Sequence, residues 1–453
     1  MTETATPQPD NRLSFIDQML FLGQRATGQE LVMQAVWVYE HPVDVDGLRR
    51  FHQNFGYGLF GRRIERSPLP FGRHRWVSSF GPPSDVDIAA CARPRAELSD
   101  WVDERAQLPI DPEWGPGWHL GVLPMTDGST AVSLVMSHCL SDGLGALQTI
   151  VDAVKGNRHD FGYPPPRSRT RLRAVVADLR ETVQGAPEVG RTLVVAAKQV
   201  FLRRREIFRS AASRHTTAVE GGDRNVVAPA ITIYIDLENW DARANSLGGT
   251  SYSMVAGFAA KLGERMGRRR AGDGAVTLHI PISDRIPDDT RANAASLATV
   301  IIDPTQVTTD LSGARAVIKQ ALRTMREAPD ETLQLLPLTP FLPKRAVKRG
   351  SDVVFAFDDR PVSCSNLGDV DPVVARADGT GAEYVMLRGV DRHVPREYLE
   401  RRGGLLTVLA GRIGGEVSIT IVTYQPGKEN SKPRLRALAA HTMAEFGLTG
   451  VIE

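Results

Sequence analysis

The chain alternates strand-like and helix-like segments in two successive runs, which are separated by a proline-rich stretch, Tyr163-Pro164-Pro165-Pro166-Arg167-Ser168. Such alternation is typical of α/β and α+β proteins, in which helices cover a central sheet. The chain has 453 residues, and chains of that length rarely fold around a single hydrophobic core. We therefore predict an α/β (α+β) fold of two lobes, residues 1–163 and 226–453, joined by a basic helical linker over residues 164–225.

The linker concentrates positive charge. Residues 165–215 hold 12 lysines and arginines against 4 aspartates and glutamates, whereas the whole chain has a net charge of only +2. Helical spacing predicts two helices there, over 172–183 and 193–208, with Gly185-Ala186-Pro187 between them. The stretch is interpreted either as a solvated charged face or as a basic amphipathic surface that rests on anionic lipid. Because the excess charge is regional, nucleic acid is not expected as a partner.

Cysteine usage and hydropathy restrict the compartment. Cys91, Cys139 and Cys364 are few and far apart, which argues against a disulfide framework and a metal cluster and favours a reducing compartment. No early stretch has the pattern of a secretory signal, and no run reaches about 18 apolar residues. We therefore expect a cytoplasmic protein without a bound metal.

A histidine lies between a predicted strand and a predicted helix. The apolar, β-branched run Thr130–Met136 predicts a buried strand, and apolar residues recur at helical spacing from Leu144 onwards. Between them stands Ser137-His138-Cys139-Leu140-Ser141-Asp142-Gly143. A histidine held at such a turn can serve as a general base near neutral pH. The alternative is a histidine packed under a helix start, with Asp142 as an ordinary N-cap.

The pattern His138-x-x-x-Asp142-Gly143 resembles the signature of the HxxxDG acyltransferase superfamily. This superfamily includes chloramphenicol acetyltransferases, nonribosomal condensation domains, plant acyltransferases and bacterial wax ester synthase/diacylglycerol acyltransferases. Four more segments, in matching order, are similar to segments of the wax ester synthase/diacylglycerol acyltransferase branch, so the resemblance covers nearly the whole chain. They are Leu13-Ser14-Phe15-Ile16-Asp17-Gln18-Met19-Leu20-Phe21-Leu22, Pro116-Gly117-Trp118 with glycine in place of leucine, residues 293–303, and Ser365-Asn366-Leu367-Gly368.

The resemblance implies two chloramphenicol-acetyltransferase-like lobes, each with a mixed sheet and flanking helices, that meet along a tunnel. It implies an enzyme of lipid metabolism that moves an acyl group, expected to be fatty, from a CoA thioester to an alcohol, with His138 as general base. The thioester would be a co-substrate, and no cofactor is expected. Asp142 would orient the loop by pairing with an arginine, for which Arg63 and Arg285 are both candidates. The N–H of Gly143 is a candidate oxyanion donor at the start of a helix.

One departure concerns the position before the base, where members of this branch usually have a second histidine and this chain has Ser137. We expect Ser137, together with Ser365 and Asn366, to contact substrate. Cys139 is assigned to packing, because side chains of adjacent residues in a turn generally diverge. Trp114 and Trp118 either line a ligand channel or belong to the core.

Two other functions fit the same fold. One is a condensation-type acyltransferase that takes its acyl group from a carrier protein and forms an ester or an amide. The other is a non-catalytic binding or assembly protein. Several relatives associate with membranes or lipid bodies, so the resemblance also implies peripheral contact of residues 165–215 with a membrane.

Overall fold

The computed structural model describes residues 10–212, 225–327, 333–343 and 360–453, and of residues 194–212 it describes only the backbone. Its secondary structure is a mixture of helices and strands arranged in two large sheets and one hairpin. The predicted α/β (α+β) fold class is therefore confirmed. Within the described residues, no helix is both long and apolar enough to cross a membrane.

The first sheet has five strands. They are β1 (Glu30–Tyr39), β4 (Asp87–Ile88), β5 (Trp118–Pro124), β6 (Thr130–Ser137) and β11 (Tyr384–Arg392). Their spatial order is β11-β1-β6-β5-β4, so β6 lies at the centre. All residues of β6 are buried, as its apolar, β-branched composition predicts for a strand covered on both faces. A hairpin of β2 (Arg62–Glu65) and β3 (Arg75–Ser78) is a separate two-stranded sheet.

The second sheet has seven strands. They are β7 (Ala230–Asp236), β8 (Val276–Ser283), β9 (Ala295–Ile302), β10 (Val362–Asp369), β12 (Leu405–Ile413), β13 (Glu416–Tyr424) and β14 (Val451–Ile452). Their spatial order is β14-β7-β13-β12-β10-β8-β9. The pairing of β10 with β12 shifts register between Asn366 and Asp369, which makes an irregularity beside the predicted site.

Helices cover both sheets. They are α1 (Phe15–Thr27), α2 (Val45–Phe55), α3 (Leu98–Gln107), α4 (Gly143–Lys155), α5 (Arg171–Ala212), α6 (Leu237–Ser246), α7 (Ser251–Arg265), α8 (Ser312–Glu327), α9 (Arg396–Arg401) and α10 (Lys432–Glu445). Short 3-10 helices span Gly58–Phe60, Arg95–Glu97, Leu333–Phe341 and Pro372–Ala375. The first core packs Trp37 and Trp118 against Phe51 and Phe55 of α2, and the second centres on Phe258 of α7.

One strand departs from the predicted division at residue 226. Strand β11 belongs to the second half of the chain but pairs antiparallel with β1 of the first sheet, with Leu31 opposite Asp391. This pairing satisfies the outer edge of β1, whose backbone groups would otherwise be left without partners. Trp37 adds a hydrogen bond from its indole Nε1 to the carbonyl of Val374, at 2.6 Å. The two halves of the chain are therefore interleaved, and the first sheet is not built from residues 1–163 alone.

The linker also differs from the prediction. Two helices separated at Gly185-Ala186-Pro187 were expected, but α5 is a single helix with Pro187 inside it. Proline removes one backbone donor and crowds the preceding turn, yet a helix can continue through it when other contacts hold it. Such contacts exist here, since the buried Asp178 of α5 accepts hydrogen bonds from Ser67 and Arg169. The end of the predicted linker, residues 213–224, lies outside the described residues.

Candidate active site

His138 lies at the first position after β6, where the chain turns away from the sheet. Its backbone N–H donates to the carbonyl of Leu31 on β1, at 3.2 Å. Its own carbonyl accepts from Asn293 Nδ2, at 3.3 Å. The loop is thus fixed from one side by the first sheet and from the other by the second half of the chain, and the His138 side chain itself is half-buried.

The ring of His138 is suited to accept a proton. Its Nδ1 atom is buried and has no hydrogen-bond partner among the described residues. Burial lowers the pKa of His138, because it disfavours the imidazolium, while the histidine's own carbonyl, Asp142 and Asn293 act in the opposite direction. The imidazole is therefore mainly neutral near pH 7, which is the state that a general base requires.

Asp142 has no free carboxylate oxygen. Oδ1 caps α4 by accepting from Gly145 N at 2.8 Å, and Oδ2 accepts from Ala294 N at 2.9 Å. Arg285 Nη2 also donates to Oδ2, at 2.8 Å, and both side chains are only 13% exposed. Of the two arginines considered from the sequence, Arg285 makes this contact, whereas Arg63 donates to the carbonyl of Trp114 at 3.4 Å. These contacts give Asp142 the geometry of a residue that orients the loop.

The loop before β9 joins several parts of the site. Asp17 of α1 is completely buried and accepts from Ala292 N, Asn293 N and Asn293 Nδ2, at 3.1, 2.8 and 3.1 Å. Ala292 in turn accepts from the backbone N–H of Asp142, at 2.7 Å. In the sequence, Asp17 belongs to the family-like segment at residues 13–22, and no role in the site was predicted for it. At the start of α1, Asp17 N also donates to Ser14 Oγ, at 3.1 Å.

Arg62 is a second residue that sequence reasoning missed. It is 2% exposed and donates to the carbonyls of Thr290 and Leu140, so it holds the histidine loop from beneath. Its guanidinium carbon lies 3.8 Å from the centre of the Trp76 ring. Strand alternation offered a signal, because consecutive residues of β2 point to opposite faces and only one arginine of the pair 62–63 can point inward.

The second lobe approaches the start of α4. Gly143 is the first residue of that helix, and the N–H of a first helical residue has no partner within the helix. A Cβ atom at Gly143 would lie 3.3 Å from Leu367 Cδ2, in the irregular part of β10. Ser365 and Asn366 precede Leu367 and are half-buried, and Asn366 Oδ1 accepts from Gly368 N at 2.9 Å. The segment with the predicted substrate contacts thus adjoins the predicted oxyanion donor.

The two residues that flank His138 lie away from this junction. Ser137 is 2% exposed, and its hydroxyl accepts from Cys139 N at 3.3 Å, a contact within the loop. Cys139 is buried, and its thiol donates to Gln24 Oε1 at 2.9 Å. Burial, with the nearby charge of Asp17, raises the pKa of Cys139 to about 12, so the thiolate is strongly disfavoured. The described geometry thus gives both side chains contacts within the loop or with α1.

Asp391 is a further acidic group on the His138 side of the first sheet. It pairs with Leu31, whose carbonyl binds the His138 backbone, so the three residues follow one another across adjacent strands. The Asp391 side chain keeps contact with water. The surrounding protein nevertheless raises its pKa, while the positive charges of Arg402 and protonated His138 act in the opposite direction.

The two tryptophans of the Gly-Pro-Gly region have different environments. Trp118 is 2% exposed and belongs to the first core, whereas Trp114 is 68% exposed. Both line a cavity of about 370 Å³ that also contacts Arg62 and Arg63. The rest of its lining comes from residues next to the β2-β3 hairpin and from residues 111–117.

Comparison with known proteins finds structures of similar fold at low sequence identity. No family model and no curated protein matches the sequence. Among solved structures, the first condensation domain of the calcium-dependent antibiotic synthetase is 11% identical, with 97% of each chain covered and a TM-score of 0.57. The wax ester synthase/diacylglycerol acyltransferase from Marinobacter aquaeolei VT8 is 15% identical, with 96% of this chain and 98% of that chain covered and a TM-score of 0.56.

The trichothecene 15-O-acetyltransferase from Fusarium sporotrichioides is 11% identical, with 96% of this chain and 94% of that chain covered and a TM-score of 0.57. At such low identities the likeness concerns the fold. It extends over almost the full length of this chain and of each of these proteins.

Proposed function

Because the chain has the two-lobe fold that condensation domains share with these acyltransferases, we propose that it transfers an acyl group from a CoA thioester to an alcohol. One observation supports this most directly. A half-buried histidine with a lowered pKa lies on a loop that both halves of the chain hold in place. We infer that His138 is the general base.

The reaction needs one proton to move out and back. His138 accepts the proton of the acceptor alcohol while the alcohol oxygen bonds to the thioester carbonyl carbon. When the tetrahedral intermediate collapses, the carbon–sulfur bond breaks, and the imidazolium returns the proton to the leaving thiolate. Thioester and alcohol thus become ester and thiol, and no acyl-enzyme is formed. Nδ1 is the buried ring nitrogen, so this proposal assigns the proton transfer to Nε2.

The developing oxyanion needs a donor, for which we propose the N–H of Gly143. Helix starts present unpaired N–H groups and a partial positive charge. A donor of this kind typically contributes about 10²–10³-fold in rate. The side chain of Leu367 lies next to Gly143, and this apolar neighbour favours an apolar acyl group. Ser365 and Asn366 adjoin the same point and are our candidates for substrate contacts.

The proposal places the reaction in the cytoplasm, where the free thiols of Cys91, Cys139 and Cys364 stay reduced. It includes neither a metal nor a cofactor. An acyl carrier protein is the second candidate donor, because condensation domains have the same fold, and the acceptor would then be an alcohol or an amine.

Thiol release with a panel of acyl-CoAs and alcohols tests the proposal. We expect turnover with at least one pair, and a fall of roughly two to four powers of ten for His138→Ala. The matched control is His441→Ala, which removes an exposed histidine from α10 and should not change the rate. Turnover only with carrier-loaded donors would select the condensation-type reaction. Equal release by wild type and His138→Ala with every donor would select a non-catalytic role.

A further inference from the structure

Helix α5 presents its apolar side to solvent. Leu172, Val176, Leu179 and Val183 are 75%, 60%, 48% and 65% exposed. Their spacing of four, three and four residues places them on one face of the helix. We name these four residues the outer stripe. An uninterrupted apolar face of this kind is unusual at the surface of a soluble protein and indicates an interaction surface.

The orientation of this face is fixed by polar contacts on the other side of the helix. Asp178 is 1% exposed and lies 2.8 Å from Arg169 and 3.4 Å from Arg75. Arg75 also pairs with Glu181, one turn further along the helix. Rotating α5 to hide the outer stripe would break these buried ion pairs. The fold therefore holds the outer stripe outward.

A row of arginines runs beside the outer stripe. Arg173, Arg180 and Arg191 are all exposed, and they follow one another at intervals of seven and eleven residues, close to two and three helical turns. On a helical projection this row lies about 90° from the outer stripe. Within the described residues, none of the three forms an ion pair. The surface thus combines an apolar centre with one cationic flank.

We propose that the outer stripe docks on the surface of an anionic lipid bilayer. Helix α5 would lie in the plane of the interface, with the four apolar side chains among the acyl chains and the arginine row at the phosphate groups. This combination of an apolar face and basic flank is the arrangement that anionic membranes bind. A neutral apolar partner, by contrast, would leave the unpaired arginines without counter-charges. The proposal does not depend on acyl transfer, because it concerns binding alone.

Vesicle sedimentation with the full chain tests it. We expect the protein to sediment at low salt with vesicles of phosphatidylcholine containing about one-third phosphatidylglycerol, and to bind pure phosphatidylcholine at least about tenfold more weakly. Added salt should weaken binding to the anionic vesicles, because it screens the charges of the arginine row. If the wild-type protein stays in the supernatant with the anionic vesicles at low salt, the proposal is overturned.

Two variants locate the surface. Val176→Ser with Val183→Ser should weaken binding by at least about tenfold, since the affinity scales with buried apolar area. Ile88→Ser with Val227→Ser, at residues 46% and 49% exposed elsewhere, should bind as wild type. Arg173→Gln with Arg180→Gln should remove most of the salt dependence. The charge-matched control is Arg49→Gln with Arg50→Gln on α2, whose side chains are 65% and 69% exposed. This control should keep the salt dependence of the wild type.

Two results would assign the outer stripe to something else. Unchanged vesicle binding by the Val176→Ser, Val183→Ser variant would overturn its role in lipid binding. A wild-type dimer in size-exclusion chromatography that the same variant converts to a monomer would make the outer stripe an interface between two copies, which also overturns the proposal. Circular dichroism of each variant confirms that the fold is kept.

Discussion

Arg285 Nη2 lies 2.8 Å from Asp142 Oδ2, and this ion pair joins the histidine loop in the first half of the chain to the second half. Arg285 also donates hydrogen bonds to the carbonyls of Asp289, Arg291 and Ala292. These contacts fix the position of its guanidinium beside the carboxylate. Because both side chains are mostly buried, the loss of one partner leaves the other without its counter-charge. The pair is therefore a structural link between the lobes as well as a support for the loop.

The first prediction concerns this link. Asp142→Ala should lower the free energy of unfolding by about 3–5 kcal/mol, because it leaves the Arg285 guanidinium buried and unpaired. Urea denaturation of the full chain measures the loss. Asp46→Ala on α2 is a suitable comparison, since Asp46 is 78% exposed and its pair with Arg49 should contribute only about 0–1 kcal/mol. A midpoint unchanged by Asp142→Ala would contradict the structural role of Asp142.

The second prediction concerns the pH dependence of turnover. Burial lowers the pKa of His138, and only the neutral imidazole can accept a proton. The value of kcat/KM should therefore rise with pH through a pKa below 6.5, the ordinary histidine value, and be level at neutral pH. A pH profile of kcat/KM for the alcohol, measured with a soluble acyl-CoA at a saturating concentration, checks this. A pKa at or above 6.5 in kcat/KM would contradict the assignment of His138 as a buried, neutral base.

Part of this architecture is predictable from local sequence. Strand β6 was expected because the continuous apolar run before His138 is typical of a strand buried on both faces. Helix α4 was expected because the apolar spacing after Asp142 is typical of a helix buried on one face. The alternation on both sides of the proline-rich stretch likewise predicted the fold class. These features depend on neighbours in the sequence, so a pattern of apolar positions is sufficient to find them.

The remainder depends on contacts between distant residues. Nothing local to Tyr384–Arg392 indicates that this strand pairs with β1, more than 340 residues earlier. Pro187 suggested a break in α5, and the anchoring of Asp178 by residues of the first lobe is absent from the local pattern. The roles of Asp17, Asn293 and Arg62 were missed for the same reason, since each binds a backbone group that only the folded chain brings near.

The third prediction concerns the cysteines. Burial raises the pKa of Cys139 to about 12, whereas Cys91 is exposed. Iodoacetamide should alkylate Cys91 in the native protein and leave Cys139 unmodified, which peptide mass spectrometry can show. Cys139→Ala should keep acyl transfer within a fewfold of wild type, because the thiol takes no part in the proposed reaction. Rapid native alkylation of Cys139 with parallel loss of turnover would contradict this view.

The fourth prediction concerns stability in mild acid. Burial lowers the pKa of His74 and of His119 to about 4, and the charges of Arg66 and Arg105 add to the effect. The unfolded chain binds protons at these residues below about pH 6.5, but the folded chain does so only near pH 4, so stability falls as the pH falls through this window. Each histidine should contribute a loss of roughly 2 kcal/mol between pH 7 and pH 5.

Urea denaturation at several pH values measures this effect. His74→Asn combined with His119→Asn should flatten the dependence between pH 5 and 7, whereas His441→Asn, at an exposed position, should leave it unchanged. The same slope in the double variant and the wild type would show that these two histidines are not buried in neutral form.

The last prediction concerns Asp17, which does not touch His138 but holds the residue that does. Its carboxylate accepts three N–H groups from Ala292 and Asn293, and the Asn293 amide then donates to the His138 carbonyl. Asp17→Ala should free this loop and lower kcat by about tenfold to a hundredfold through misplacement of the base, with a smaller change in KM. Asn293→Ala should have the same kinetic signature, because it removes the next contact in the series. Asp10→Ala, at an exposed carboxylate near the start of α1, is the matched control and should retain the wild-type kcat. If Asp17→Ala lowered the melting temperature while kcat stayed at the wild-type value, Asp17 would stabilise the fold without positioning the histidine.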